Sequence, residues 1–319
     1  MLKSLKFVQG SIAKKDLVPS LRHFIIRNGF VQGYNGVISL CSPIPFDLEC
    51  QPDANSLIKA ISNCEDEISL TLTKGGKLSI KSGPYKALIN CFPEEVVNIR
   101  PEGDNLKVDG EKFLDVCKKL EQVIGDDASR KWSNGILFLG NSAFATNNVI
   151  LTEYWTGFNI HKPINIPRVA VKEINRINKP VEKIMIADNS ATFFFEGDRW
   201  LRTQVLEVNW PDLTKIINVD IINESLIDEK MFKALEKIKP FLDKSGRVYL
   251  RDGKISSHNN DEEGSSFELE SFTAQGCYQA HMLELLQGIS KTIDWTRYPK
   301  PCPFQDGNLR GVIVGMRTE

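Results

Sequence analysis

The chain has 319 residues, 41% of them hydrophobic and 25% charged, with 40 Lys and Arg against 41 Asp and Glu for a formal net charge of -1. That length exceeds one ordinary core, and no apolar run reaches the roughly 20 residues of a membrane span, so several domains are expected and no membrane partner. With no global positive excess, a nucleic acid would have to be held by a local basic surface.

The opening segment lacks the apolar centre of a secretory signal, which predicts a cytoplasmic location. The seven cysteines are odd in number and scattered, with no C-x-x-C pair, which fits reduced thiols in a cytosol rather than a disulfide or zinc framework.

In chain order, apolar periodicity predicts a helix over residues 12–24 that carries Lys14, Lys15 and Arg22. Strands over 24–31, 37–41 and 46–51 follow, with a hairpin turn at Gly33-Tyr34-Asn35-Gly36. Next come a helix over 55–64, a hairpin of 68–73 and 77–81 across Gly75-Gly76, and a strand over 84–90 that closes on Phe92-Pro93. A helix over 110–124, with Phe113, Val116, Cys117, Leu120 and Val123 as its apolar stripe, leads into strands 136–139, 142–146 and 149–155.

Pro167 suits a first helical turn, so residues 168–178 read as a helix. Ala170, Ile174 and Ile177 fall on one side of it, and Arg168, Lys172 and Arg176 line the other at i, i+4, i+8. Strands 181–187, 191–196 and 200–208 form a meander that ends on Trp210-Pro211. Further on, a helix over 228–242 buries Met231, Leu235, Ile238 and Leu242 and carries Lys230, Lys233 and Lys237 on a shared side. Strands 247–250, 254–257 and 267–272, helical spacing over 277–289, an irregular Pro-rich stretch over 298–304 and a strand over 309–316 complete the chain.

The order of helix, hairpin, third strand and aromatic-Pro recurs about every hundred residues, and each copy follows another helix with its own strands. The expected fold class is therefore α+β, with three repeated domains over 1–103, 104–221 and 222–319, each two rounds of helix plus antiparallel meander.

Chemistry-bearing constellations are sparse. His23, His161, His258 and His281 share no metal-ligand spacing, and the loop over 258–264 lacks the alternating ligands of a calcium loop. Lys74-Gly75-Gly76-Lys77 is a hairpin turn with no helix after it, so it is no phosphate loop. No catalytic residue, metal or cofactor is expected, and the chain is read as no enzyme.

Four pieces resemble the bacterial sliding clamps, the β subunit of the replicative DNA polymerase. Ile38-Ser39-Leu40 with Asp47-Leu48-Glu49-Cys50 resembles strands of that family's first domain. Residues 145–151 resemble its Ala-Thr-Asp-Gly-His-Arg-Leu strand pair, keeping Ala145, Thr146 and Leu151; Trp210-Pro211-Asp212-Leu213 resembles its Phe-Pro-Asp-Tyr; and residues 312–317 resemble its C-terminal Val-Val-Met-Pro-Met-Arg. The likeness spans the chain in order, and the departures and trimmed length mark a divergent, phage-type member.

The resemblance implies sheets outside and helices lining a central hole, with two chains joined head to tail as a homodimer around duplex DNA. Phosphate contacts, independent of sequence, would come from Lys14, Lys15, Arg22, Arg168, Lys172, Arg176, Lys230, Lys233 and Lys237. DNA polymerase and clamp loader would insert short linear peptides at Thr146, Val149, Leu151, Pro211, Ile216, Val312, Val314 and Met316. The rival expectation is a partner-binding protein of the same fold that forms no DNA-encircling ring.

Overall fold

The structure, a computed structural model, describes residues 1–14, 18–94, 99–251, 253–260, 262–269 and 273–317. Seven α-helices are present among them: α1 (Leu2–Val8), α2 (Ala54–Ser62), α3 (Gly110–Leu120), α4 (Arg168–Ile177), α5 (Thr214–Ile217), α6 (Glu229–Ile238) and α7 (Ala280–Glu284). The chain folds into two compact units, residues 1–114 with 169–205 and residues 115–168 with 206–319.

The first unit is built on a seven-stranded antiparallel sheet in the order Ile25–Arg27, Phe30–Tyr34, Ile38–Pro43, Arg199–Gln204, Ser190–Phe195, Lys183–Ile186 and Asp104–Leu106. Strands far apart in sequence thus meet at one seam, where Leu40 opposes Leu201 and Cys41 opposes Trp200. A second sheet holds Ser69–Leu72, Lys77–Ser82 and Tyr85–Asn90. Helix α1 packs on strands Phe30–Tyr34 and Ile38–Pro43 and on α2, burying Leu5 and Val8 completely. Helix α2 starts where Asp53 accepts a hydrogen bond from the Ser56 amide at 2.8 Å, a side-chain cap for an otherwise unpaired donor.

The second unit holds a six-stranded antiparallel sheet in the order Ser225–Leu226, Thr292–Ile293, Cys302–Asp306, Leu309–Ile313, Ile150–Pro167 and Gly135–Thr146. Its four-stranded partner runs Ser266–Glu268, Lys254–Ser256, Arg247–Arg251 and Gly276–Gln279. Helix α6, capped by Asp228 through the Lys230 amide at 2.8 Å, buries Met231, Ala234, Leu235 and Ile238.

Several stretches differ from the sequence expectations; the expected strand over 46–51, for one, is irregular apart from an isolated bridge between Cys50 and Ile26. Among the described residues of 12–24 there is no α-helix: the helix lies earlier, at α1, and two 3-10 turns, Gln9–Ser11 and Pro19–Arg22, follow it. Pro19 supplies the reason, since it lacks an amide donor and holds Val18 extended at φ -95, ψ 104. The expected strand over 24–31 is broken at Asn28-Gly29, both at positive φ (51 and 73), a two-residue turn of the kind that matches strand twist. Residues 135–146 form one strand rather than two, because Gly140 at φ 57 makes a bulge and no turn. Cys277 and Tyr278 belong to a strand, not to the following helix, which is only α7. The expected strand over 267–272 is described only through Leu269, the last part lying outside the described residues.

Candidate nucleic-acid interface and peptide-binding cluster

Cations of the first unit gather where α1 ends. Lys6, Lys14 and Arg176 line one open cavity of about 420 Å³ with Gln9, Asn55 and Glu173. The apolar stripe of α4 explains this placement: Ala170, Val171 and Ile174 are fully buried, so Lys172 and Arg176 are left on the exposed side.

Arg176 is the least free of them. Its Nε donates to Glu173 Oε1 at 2.8 Å, a second nitrogen pairs with the same carboxylate, and the guanidinium donates to the Phe7 carbonyl at 2.7 Å at the end of α1. Glu173 is only 7% exposed. A Cβ on Gly10 would stand 2.0 Å from its carboxylate, so any side chain there would have to displace it. Buried charge of this kind is tolerated because it is paired.

Lys14 and Lys172 are exposed, as is Arg22 on its 3-10 turn. Lys15 lies outside the described residues. Arg168 opens α4, half-buried, with its Nε shielded from solvent and without an acceptor. In the second unit, Lys230, Lys233 and Lys237 are all exposed on α6, and the Lys237 ammonium sits 5.1 Å from the centre of the Phe267 ring. Lys6 is absent from the set expected from sequence because that reading starts the helix some ten residues later, although Leu5 and Val8 already carry helical spacing.

An apolar cluster occupies one face of the six-stranded sheet. Thr146 opposes Leu151, and Leu151 opposes Val312, so the three stand side by side on adjacent strands. Val149 and Val314 continue the row, joined by the Val314 amide donating to the Val149 carbonyl at 2.9 Å. Thr146 is buried, its hydroxyl donating to the Ile150 carbonyl at 2.8 Å. Against Leu151 and Val312 pack Ile217, Leu213, Trp210 and Phe144.

Helix α5 decides which of its residues join. Asp212 accepts from the Thr214 hydroxyl at 2.6 Å and starts the turn, which aims Ile217 inward at 5% exposure and leaves Ile216 42% exposed. Pro211 is exposed, whereas Trp210 packs edge-on against Trp132 at 5.0 Å between ring centres. The backbone of Met316 is held by Cys277 and by the Tyr298 hydroxyl at 2.6 Å. The expected set thus divides: Thr146, Val149, Leu151, Val312 and Val314 form one row, while Pro211, Ile216 and Met316 lie outside the packed centre, whose places Trp210, Leu213 and Ile217 take. At one end of the patch Arg310 pairs with Glu153, Nε to Oε2 at 2.7 Å, and donates to Asn218, making a polar rim.

Burial pushes the thiols of Cys41 and Cys50 up to about 12, so both remain protonated at neutral pH. Among the described residues no group of three His, Cys, Asp or Glu is placed to hold a metal, and no described helix is long and apolar enough to cross a membrane.

Comparison at the sequence level is silent: no protein-family model and no curated protein matches. Solved structures match closely. The DNA polymerase III beta chain of Streptococcus pneumoniae TIGR4 superposes with a TM-score of 0.84 at 18% identity, over 99% of this chain and 97% of that one. The DNA polymerase III subunit beta of Pseudomonas aeruginosa gives 0.84 at 16% over 99% and 97%, and the DNA polymerase sliding clamp of Bacillus subtilis gives 0.82 at 15% over 100% and 97%. The chain has the sliding-clamp fold, an α+β arrangement of helices and antiparallel sheets, as its four sequence motifs implied.

Proposed function

We propose that the chain is a DNA sliding clamp, a non-enzymatic processivity factor that encircles duplex DNA and tethers a DNA polymerase and a clamp loader. The observation that carries this reading is the match to DNA polymerase III beta structures over nearly the full length of both chains. In this reading the chain comprises three clamp domains, 1–103, 104–221 and 222–319, and acts in the cytoplasm, that of a host if the protein is phage-encoded. Lys14, Lys15, Arg22, Arg168, Lys172, Arg176, Lys230, Lys233 and Lys237 face the DNA and contact phosphates, so binding is independent of sequence and weakens with salt. Lys6 joins them, since it shares the cavity of Lys14 and Arg176.

A ring needs two chains. Strand Ser69–Leu72 is an edge of one sheet, and strand Ser266–Glu268 is an edge of another. Edges of this kind invite pairing between chains, and a head-to-tail pairing of the two would close a homodimer. Partner peptides would dock on the row Thr146, Val149, Leu151, Val312 and Val314, with Pro211, Ile216 and Met316 at its border and the apolar support of Trp210, Leu213 and Ile217 beneath.

The experiment is mass in solution followed by retention on DNA. A ring gives twice 36.0 kDa and stays on nicked circular DNA while running off linear DNA. Reversal of Lys14 and Lys172 to Glu should shorten retention; Arg176 is unsuited to this test because it also holds Glu173. A monomer at micromolar concentration, or equal retention on both DNAs, supports the rival reading of a partner-binding protein that forms no ring.

A further inference from the structure

Four strands of the first unit set one row of side chains in line: Ile25 opposes Gln32, Gln32 opposes Cys41, and Cys41 opposes Trp200. Residues so paired project to the same face of a sheet. At the edge of this floor the Asn28-Gly29 turn places Arg27 opposite Phe30. On the other side runs the segment 99–101, fastened by Gln32 Nε2 donating to the Ile99 carbonyl at 2.8 Å. Between them lies an open cavity of about 290 Å³.

Its lining combines two features. Trp200 is 9% exposed in the floor while Phe30, two strands away in the same lining, is 40% exposed, so one aromatic ring is nearly covered and the other left open. Arg27 and Arg100 also line the cavity, and among the described residues neither is joined in an ion pair. Glu102, the acid nearest to Arg100 in sequence on that segment, is taken by Arg202 and Ser190. The cavity therefore offers an apolar seat and two positive charges, with no acidic side chain among the described residues of its lining.

We propose that this cavity binds an acidic linear peptide, which inserts one aromatic side chain between Phe30 and Trp200 while its carboxylates pair with Arg27 and Arg100. A volume near the lower end for small-molecule sites suits one inserted ring better than an entire nucleotide. Guanidiniums suit carboxylates because their paired N–H groups match both oxygens. The site is separate from the cluster around Leu151, which belongs to the other unit, and it does not depend on whether the chain encircles DNA.

The test is calorimetric titration of the full chain, at low salt, with an acetylated heptapeptide carrying one phenylalanine between three acidic residues on each side. Saturable binding with a Kd below about 1 mM is expected. It should weaken roughly tenfold with the joint change Arg27→Glu and Arg100→Glu, as expected for the loss of two partly exposed charge pairs. It should weaken likewise with Phe30→Ser and when alanine replaces the peptide's phenylalanine, and it should not respond to Val314→Asp. If the arginine variant does not fold, Phe30→Ser, at an exposed position, decides by itself. Absence of saturation up to about 1 mM, or binding that ignores Phe30→Ser, overturns the proposal. Binding of adenosine monophosphate with the same variant sensitivity, in place of the peptide, overturns it in favour of a nucleotide site.

Discussion

Arg176 shows how a single side chain can be read two ways. In sequence it is one member of a basic stripe with Arg168 and Lys172, whereas in the fold it neutralises the buried Glu173 and ties α4 to the end of α1. Removing it leaves a buried carboxylate without its partner. Because the arginine itself is 44% exposed, solvent screens part of the loss, and Arg176→Ala should cost about 1–3 kcal/mol in chemical denaturation. Lys172→Ala should cost under about 0.5 kcal/mol. Equal effects of the two would show that the Glu173 pair contributes little.

Asp294 is the other residue whose environment makes a measurable difference. Burial raises its carboxyl, but the Thr296 hydroxyl at 2.6 Å and the amides of Asn223, Ile222 and Thr296 outweigh that and hold it below the usual carboxylate range. A group lowered on folding stabilises fully above its unfolded value, here 3.8, and loses that contribution as pH falls through the folded value. Stability should thus drop as the pH is taken below about 4, and Asp294→Asn should flatten this part of the profile measured by urea denaturation. An unaltered slope in the variant would assign the acid sensitivity to other carboxylates.

Among the elements, α5 illustrates why a short helix defeats sequence reading. Ile216 and Ile217 are adjacent and chemically identical, and one turn of helix is too short to establish a period. The Asp212–Thr214 hydrogen bonds before the helix and the sheet face beneath decide that Ile217 is the one inside. Ile217→Ala should therefore cost about 2–4 kcal/mol, while Ile216→Ala should leave stability almost unchanged and instead weaken any peptide bound at the Leu151 row. Thermal denaturation of the two variants side by side checks this, and a larger loss for Ile216 would reverse the assignment.

Helices α2, α4 and α6 are legible in the residues alone, because three turns of amphipathic spacing and an Asp or Pro at the start leave little choice. The hairpin Ser69–Leu72 with Lys77–Ser82 is equally plain from Gly75-Gly76. Residues 12–24 mislead because their apolar spacing is outweighed by Pro19, and the strand expected over 24–31 ignores Asn28-Gly29, a dipeptide that is itself a strong hairpin signal. Gly140 misleads in the opposite sense, since a glycine inside a strand marks a bulge as readily as a turn.

For the molecule as a whole, the exposed edge strand Ser69–Leu72 is where assembly can be tested without disturbing a core. Leu72 is 42% exposed there. Leu72→Lys should leave the unfolding transition in place and raise the monomer fraction seen by mass measurement at low micromolar concentration, since a lysine on an edge opposes strand pairing. A dimer unaffected by this change would put the closure elsewhere on the chain.

The α+β class and most of the longer helices and hairpins can be read from the residues in order, because they follow from local periodicity, caps and turns. Four short motifs are enough to suggest the fold at an identity level of 15% to 18%. Tertiary packing was needed to show which cations stand free, that Arg176 and Glu173 meet, and that Trp210 and Ile217 rather than Pro211 and Ile216 support the apolar row. Packing also joins Cys41 to Trp200, and so makes the floor of the cavity between Arg27 and Arg100. Contacts between strands far apart in the chain leave no periodic trace in either one, and burial is a property of the partner as much as of the residue.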